Sequence, residues 1–94
     1  MVNRRYERGR RFEHRVRRLL EAAGWVVIRA AGSRPIDLVA MKRGAILMIE
    51  CKKGGRISRE QMEYQAELAR RAGATYIVVT PRNLGELKRL LGVA

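Results

Sequence analysis

Asp37, Glu50 and Lys52 stand out as charged residues on stretches that are otherwise almost wholly apolar, Ile36–Met41 and Ala45–Cys51. Side chains alternate along a strand, so Glu50 and Lys52, two positions apart, point to one face. If the chain turns back at Arg43-Gly44, Asp37 and Glu50 lie at equal distances from the turn and face each other across the hairpin. Two carboxylates brought together in a half-buried place repel unless a positive charge neutralises them. An oxygen-liganded divalent cation such as Mg²⁺ does this with one or two carboxylates while keeping sites for water and phosphate oxygens. A neighbouring lysine then orients or deprotonates a water and offsets negative charge as it develops. The chemistry that uses this set is metal-assisted phosphodiester hydrolysis. By spacing alone, a salt bridge between Lys52 and either carboxylate at a strand end explains the same residues.

The elements that must position these groups are legible from periodicity. Phe12, Val16, Leu19, Leu20 and Ala23 mark the apolar face of an amphipathic helix over about 4–23, ended by Gly24, with Glu13 beside the stripe. Trp25–Ala30 is short and β-branched and reads as a strand, followed by a Gly/Pro-punctuated loop over 31–35. Ile36–Met41 and Ala45–Cys51 form the antiparallel hairpin, and their apolar character on both faces suggests a sheet covered on both sides. Ser58 caps a helix reaching about Ala72, with Met62, Ala66, Ala69 and Ala72 as its buried candidates, and Gly73 closes it. Thr75–Thr80 is a further strand, and Asn83 with Glu86 fits a capping box for a short last helix burying Leu84, Leu87, Leu90 and Leu91. The order α-β-β-β-α-β-α specifies an α/β protein with a mixed central sheet flanked by helices.

At 94 residues the chain suits one domain spanning 1–94, without internal repeats or a low-complexity linker. An apolar fraction of 47% excludes a disordered chain, and no apolar run reaches membrane-spanning length. A lone cysteine and the lack of a signal-peptide pattern point to a reducing cytoplasm.

The net charge of +12 and a pI near 11.4 are the electrostatic footprint of a polyanionic partner, although a thermophile surface or a basic tail also raises them. Residues 1–20 hold eight Arg against two Glu. The weakly apolar face of that helix ranks an acidic membrane below nucleic acid. Arg4, Arg5, Arg8, Arg10 and Arg11, with Arg34 and Lys53 on loops beside the hairpin, are the candidate DNA-phosphate contacts. His14, the sole histidine, has no second His or Cys nearby for a zinc site and suits an exposed or phosphate-contacting place. Trp25 suits the core.

The chain resembles the PD-(D/E)xK nuclease superfamily and, within it, the archaeal-type Holliday junction resolvases. The resemblance lies in Gly9-Arg10-Arg11-Phe12-Glu13 with Val16 and Leu20, Gly24-Trp25-Val26-Val27, Arg29, Ser33, Ile36-Asp37-Leu38-Val39-Ala40, Ile49-Glu50-Cys51-Lys52 and Gln61, over about residues 9–80. It implies a restriction-endonuclease-like α-β-β-β-α-β core and a metal-dependent DNA endonuclease acting as a homodimer on four-way junctions with Mg²⁺ or Mn²⁺. It further implies Asp37 and Glu50 as metal ligands with the Cys51 backbone carbonyl, and Lys52 as the catalytic lysine. Glu13 would complete the acidic site directly or through water, Ser33 would lie on a loop approaching the scissile strand, and Gln61 would be an accessory site residue.

Departures from the family pattern are Pro35 one position earlier than usual, Cys51 for an aliphatic residue, and little to match beyond residue 80. The segment Gly55–Gln61 also resembles small stand-alone virus-type repair nucleases of the superfamily, and a non-catalytic DNA-binding protein on this fold is the reading from another class. Gln61, three after Ser58, also fits a capping box; Glu13 is also spaced to pair with Arg17; Ser33 also fits a turn.

Overall fold

The computed structural model describes residues 4–30 and 35–92, with side chains from residue 7 onward. Its elements are α1 (Arg4–Ala22), β1 (Val26–Arg29), β2 (Leu38–Lys42), β3 (Ala45–Cys51), α2 (Arg59–Ala72), β4 (Thr75–Val79) and α3 (Leu84–Leu91). They form one sheet in the order β1-β2-β3-β4. The β1–β2 and β2–β3 pairs are antiparallel, whereas β3–β4 is parallel, and α2 supplies the crossover a parallel pair requires.

The hairpin register is set by its turn. Arg43 and Gly44 have φ of 49° and 84°, so both central residues are left-handed, the geometry of a two-residue type I′ turn. Pairing then runs from Lys42↔Ala45 to Leu38↔Ile49, which aligns Asp37 with Glu50 one step beyond the last pair.

Helix α1 ends through Gly24 at φ 91°, where the Trp25 N–H donates to Leu20 O at 3.0 Å. Lys42 Nζ donates to Ala23 O at 2.6 Å and so places a cation at that carbonyl-rich terminus.

One face of the sheet is sealed. Leu38, Ala40, Ile49 and Val79 pack with Phe12, Val16 and Leu20 of α1 and Leu84 and Leu87 of α3, and Trp25, Val27 and Cys51 lie against this core. The opposite face departs from the expectation of two covered sides. Cross-strand pairing places Val26, Ile28, Val39, Met41 and Met48 on it. Helix α2 packs chiefly against β4, and Val26 and Ile28 of β1 stay 64% and 53% exposed.

Three local expectations also change. Helix α2 buries Gln65 and Ala69, whereas Met62 and Ala72 are exposed and Ala66 is half-buried, because docking on β4 turns the helix toward its Gln65 side. Leu90 at the end of α3 is exposed as well. Asn83 makes no side-chain cap for α3: its Oδ1 accepts from Thr80 N–H and its Nδ2 donates to Val78 O, both at 2.8 Å, so the amide secures the end of β4. No helix among the described residues is long and apolar enough to cross a membrane.

Candidate active site

The far end of the β2–β3 hairpin gathers Asp37, Glu50, Lys52 and Gln61. Asp37 and Glu50 are both 3% exposed. Asp37 Oδ2 accepts the Cys51 N–H at 2.8 Å, and the Asp37 carbonyl accepts Ala30 N–H at 3.0 Å, so neighbouring strands grip both its side chain and its backbone. Glu50 Oε2 receives Gln61 Nε2 at 3.0 Å and lies 3.5 Å from Lys52 Nζ.

Burial and the adjacent Asp37 carboxylate push the Glu50 carboxyl above its ordinary range, and the opposing pull of Lys52 does not cancel them. The site therefore holds more negative charge than its own lysine neutralises, and that deficit is what a cation would fill. The available donors are hard carboxylate and carbonyl oxygens, the set suited to Mg²⁺ or Mn²⁺. The thiol of Cys51 faces the apolar side, and burial together with Asp37, Glu13 and Glu50 drives its pKa upward, away from the thiolate a soft metal needs. Among the described residues no three His, Cys, Asp or Glu side chains are gathered as a metal cage, so a cation would rely on Asp37, Glu50 and backbone oxygen.

Gln61 does not close a capping box, because its side chain does not return to the Ser58 N–H. Its backbone N–H donates to Ser58 Oγ at 3.0 Å and caps α2, while its side chain turns to Glu50. Glu13 goes elsewhere: its Oε1 accepts Arg29 Nε at 2.7 Å, and Arg17 pairs with Glu21 at 3.5 Å instead. Glu13 remains on the edge of the acidic cluster, near enough to bear on Cys51. Glu13 also lines a groove of about 520 Å³ walled by Glu7, Arg10, Arg11, His14, Arg17 and Arg29, in which arginines outnumber carboxylates. Arg8 is exposed on the same helix, and Lys53 is exposed with its Nζ 5.8 Å from the Phe12 ring centroid. Ser33 and Arg34 lie outside the described residues, as do the side chains of Arg4 and Arg5 in the first turn of α1.

Sequence reasoning assigned no role to Arg29, Gln65 or Tyr76. Arg29 was visible as a charge ending an apolar strand, and Gln65 as the residue one turn beyond Gln61, but neither pattern names a partner. In the fold, Gln65 Nε2 donates to Pro35 O at 2.8 Å and its Oε1 accepts from Tyr76 Oη at 2.5 Å.

Known proteins resemble this chain in sequence and fold. The family model described as archaeal Holliday junction resolvase (Hjc) matches residues 4–89. The chain is 41% identical over 63 residues to the crossover junction endodeoxyribonuclease Hjc of Methanocaldococcus jannaschii, an alignment covering 63% of this chain and 47% of that protein. It is similar to the crystal structure of Archaeoglobus fulgidus Hjc, described as a Holliday junction resolvase from an archaeal hyperthermophile. The TM-score is 0.64 at 32% identity, over 80% of this chain and 66% of that one. The match thus spans about half the length of the curated relative and about two thirds of the solved structure.

Proposed function

We propose that the chain, which belongs to the archaeal Holliday junction resolvase family, is a divalent-metal-dependent endonuclease that nicks branched DNA at four-way junctions. The observation that carries this reading is the buried Asp37–Glu50 pair, undercompensated by Lys52, on a domain whose first helix and Arg29 wall an arginine-rich groove.

In this reading Asp37, Glu50 and the Cys51 carbonyl hold Mg²⁺ or Mn²⁺, which supplies Lewis-acid stabilisation at the phosphoryl group and an acidified water when bound. The Lys52 ammonium, 30% exposed beside an almost fully buried Glu50, orients the attacking water and offsets charge on the phosphate. Gln61 fixes the Glu50 carboxylate from the α2 side. Glu13 contributes to the acidic site from the groove side, where Arg29 holds it. Arg10, Arg11, Arg17 and Arg29 take backbone phosphates, which favours shape over sequence in substrate choice.

A homodimer belongs to the same proposal. A four-way junction presents two symmetry-related strands, and one copy carries one site. The half-open apolar sheet face around Val26 and Ile28 offers a self-complementary surface for a second copy on a two-fold axis.

The test is cleavage of a four-way junction, a flap, a linear duplex and a single strand, each with Mg²⁺, with Mn²⁺ and with EDTA, alongside Glu50→Ala. Metal-dependent, symmetric junction nicking that the variant loses is the expected result. Cutting confined to another form would keep the site and replace the substrate. Salt-sensitive binding with no turnover on any form would reduce the chain to a DNA-binding protein.

A further inference from the structure

Among the described residues Gln65 is the most deeply buried polar side chain, 1% exposed at the centre of α2's inner face. A buried amide is costly unless its donors and acceptor are all used. Here its partners also fix its orientation. The Pro35 carbonyl can only accept, so the amide nitrogen must face it, and the amide oxygen is left for the Tyr76 hydroxyl, which donates. One side chain thus ties together α2, β4 and the segment entering β2.

Adhesion of α2 to the sheet does not require this arrangement. An apolar side chain at position 65 would bury comparable surface without desolvating an amide, a hydroxyl and a carbonyl. What the amide adds is direction. Pro35 stands two residues before Asp37, and its carbonyl is its only hydrogen-bonding backbone group. With Gln65 on Pro35, Ala30 on the Asp37 carbonyl and Cys51 on the Asp37 carboxylate, the segment bearing Asp37 is held at three points.

We propose that Gln65, braced by Tyr76, is a positioning residue that sets the approach of the Asp37 carboxylate to Glu50 and thereby the affinity of the site for a divalent cation. This rests on reading Asp37 and Glu50 as metal ligands, and it requires no contact between Gln65 and any reacting atom.

The test is Mn²⁺ binding to the full chain, followed by electron paramagnetic resonance, with thermal melting in EDTA as the stability control. The variants are Gln65→Met, Tyr76→Phe and Asp37→Asn. Gln65→Met is expected to weaken Mn²⁺ binding by about tenfold or more, the usual range for groups that orient a metal ligand. Tyr76→Phe is expected to cause a smaller loss in the same direction. Folded Gln65→Met with wild-type Mn²⁺ affinity and only a lowered melting temperature would overturn the proposal, because the amide would then merely hold α2 in place. If Gln65→Met fails to fold, Tyr76→Phe decides, since it removes a single oxygen, and unchanged affinity there overturns the proposal. Asp37→Asn separates the two levels. Wild-type Mn²⁺ binding by that variant would remove the metal-site reading itself; lost binding there with wild-type binding in the other two would remove only the positioning role.

Discussion

The backbone N–H of Cys51 donates a 2.8 Å hydrogen bond to Oδ2 of Asp37, across the open end of the β2–β3 hairpin. A residue lying between Glu50 and Lys52 in sequence thereby anchors the carboxylate that faces Glu50. The bond consumes lone-pair capacity on one Asp37 oxygen and directs the carboxylate, which makes Asp37→Asn an informative change. Asparagine keeps an oxygen for the Cys51 N–H while losing the charge. Junction cleavage should fall by about 10²-fold or more, given the several kcal/mol of charge stabilisation at stake. Junction binding in EDTA should persist; single-turnover cleavage and a gel-shift titration check the two halves.

The raised carboxyl of Glu50 has a signed consequence for stability. The folded chain holds the Glu50 proton to higher pH than the unfolded chain, where the ordinary value is 4.5. Stability contributed by protonated Glu50 is therefore full below that value and is lost as pH rises through the higher folded value. In EDTA, Glu50→Gln should melt above the wild type at neutral pH, by about 4–8 °C for each kcal/mol relieved. The gap should close toward pH 4.5. Calorimetry across pH checks this, and a variant that melts lower at every pH would contradict it.

The cationic groove predicts a separation of binding from chemistry. Arg10 and Arg11 line it, with Arg11 3.9 Å from Glu7 one turn earlier on α1. Replacing each by Ala should weaken junction binding and lower the salt slope by about 1 per lost phosphate contact. The cleavage rate of the saturated complex should stay close to wild type. An unchanged salt slope in the double variant would place the DNA path elsewhere on the protein.

The half-open sheet face predicts an oligomeric state. Val26→Lys together with Ile28→Lys puts two charges on the most exposed apolar residues of β1. The pair should convert a dimer to a monomer in sedimentation velocity and abolish paired nicking of a junction. The fold should survive, because neither residue belongs to the sealed core. A wild-type chain that sediments as a monomer while nicking junctions symmetrically would count against the dimer.

The features that the sequence determined by itself are those governed by local rules. Alternation along β3 puts Glu50 and Lys52 on one face, and a two-residue turn at Arg43-Gly44 counts residues outward until Asp37 meets Glu50. Ser58 and Gly73 mark the ends of α2 through backbone groups within one turn of each. Each depends on residues close along the chain, so spacing is enough to read it.

Tertiary structure alone decided which partners meet across long separations. Glu13 finds Arg29 rather than Arg17, because α1 packs beside β1 and a cross-element ion pair displaces a helical one. Asn83 leaves its cap for the end of β4. The rotation of α2 against β4 exposes Met62 and buries Gln65, which stood outside the buried candidates because an amide is polar until its partners arrive. Apolar residues on both faces of the sheet likewise cannot say whether a helix or a second chain covers them. Such outcomes depend on the angle and phase at which finished elements dock, and those are set by the sum of many contacts distributed along the chain.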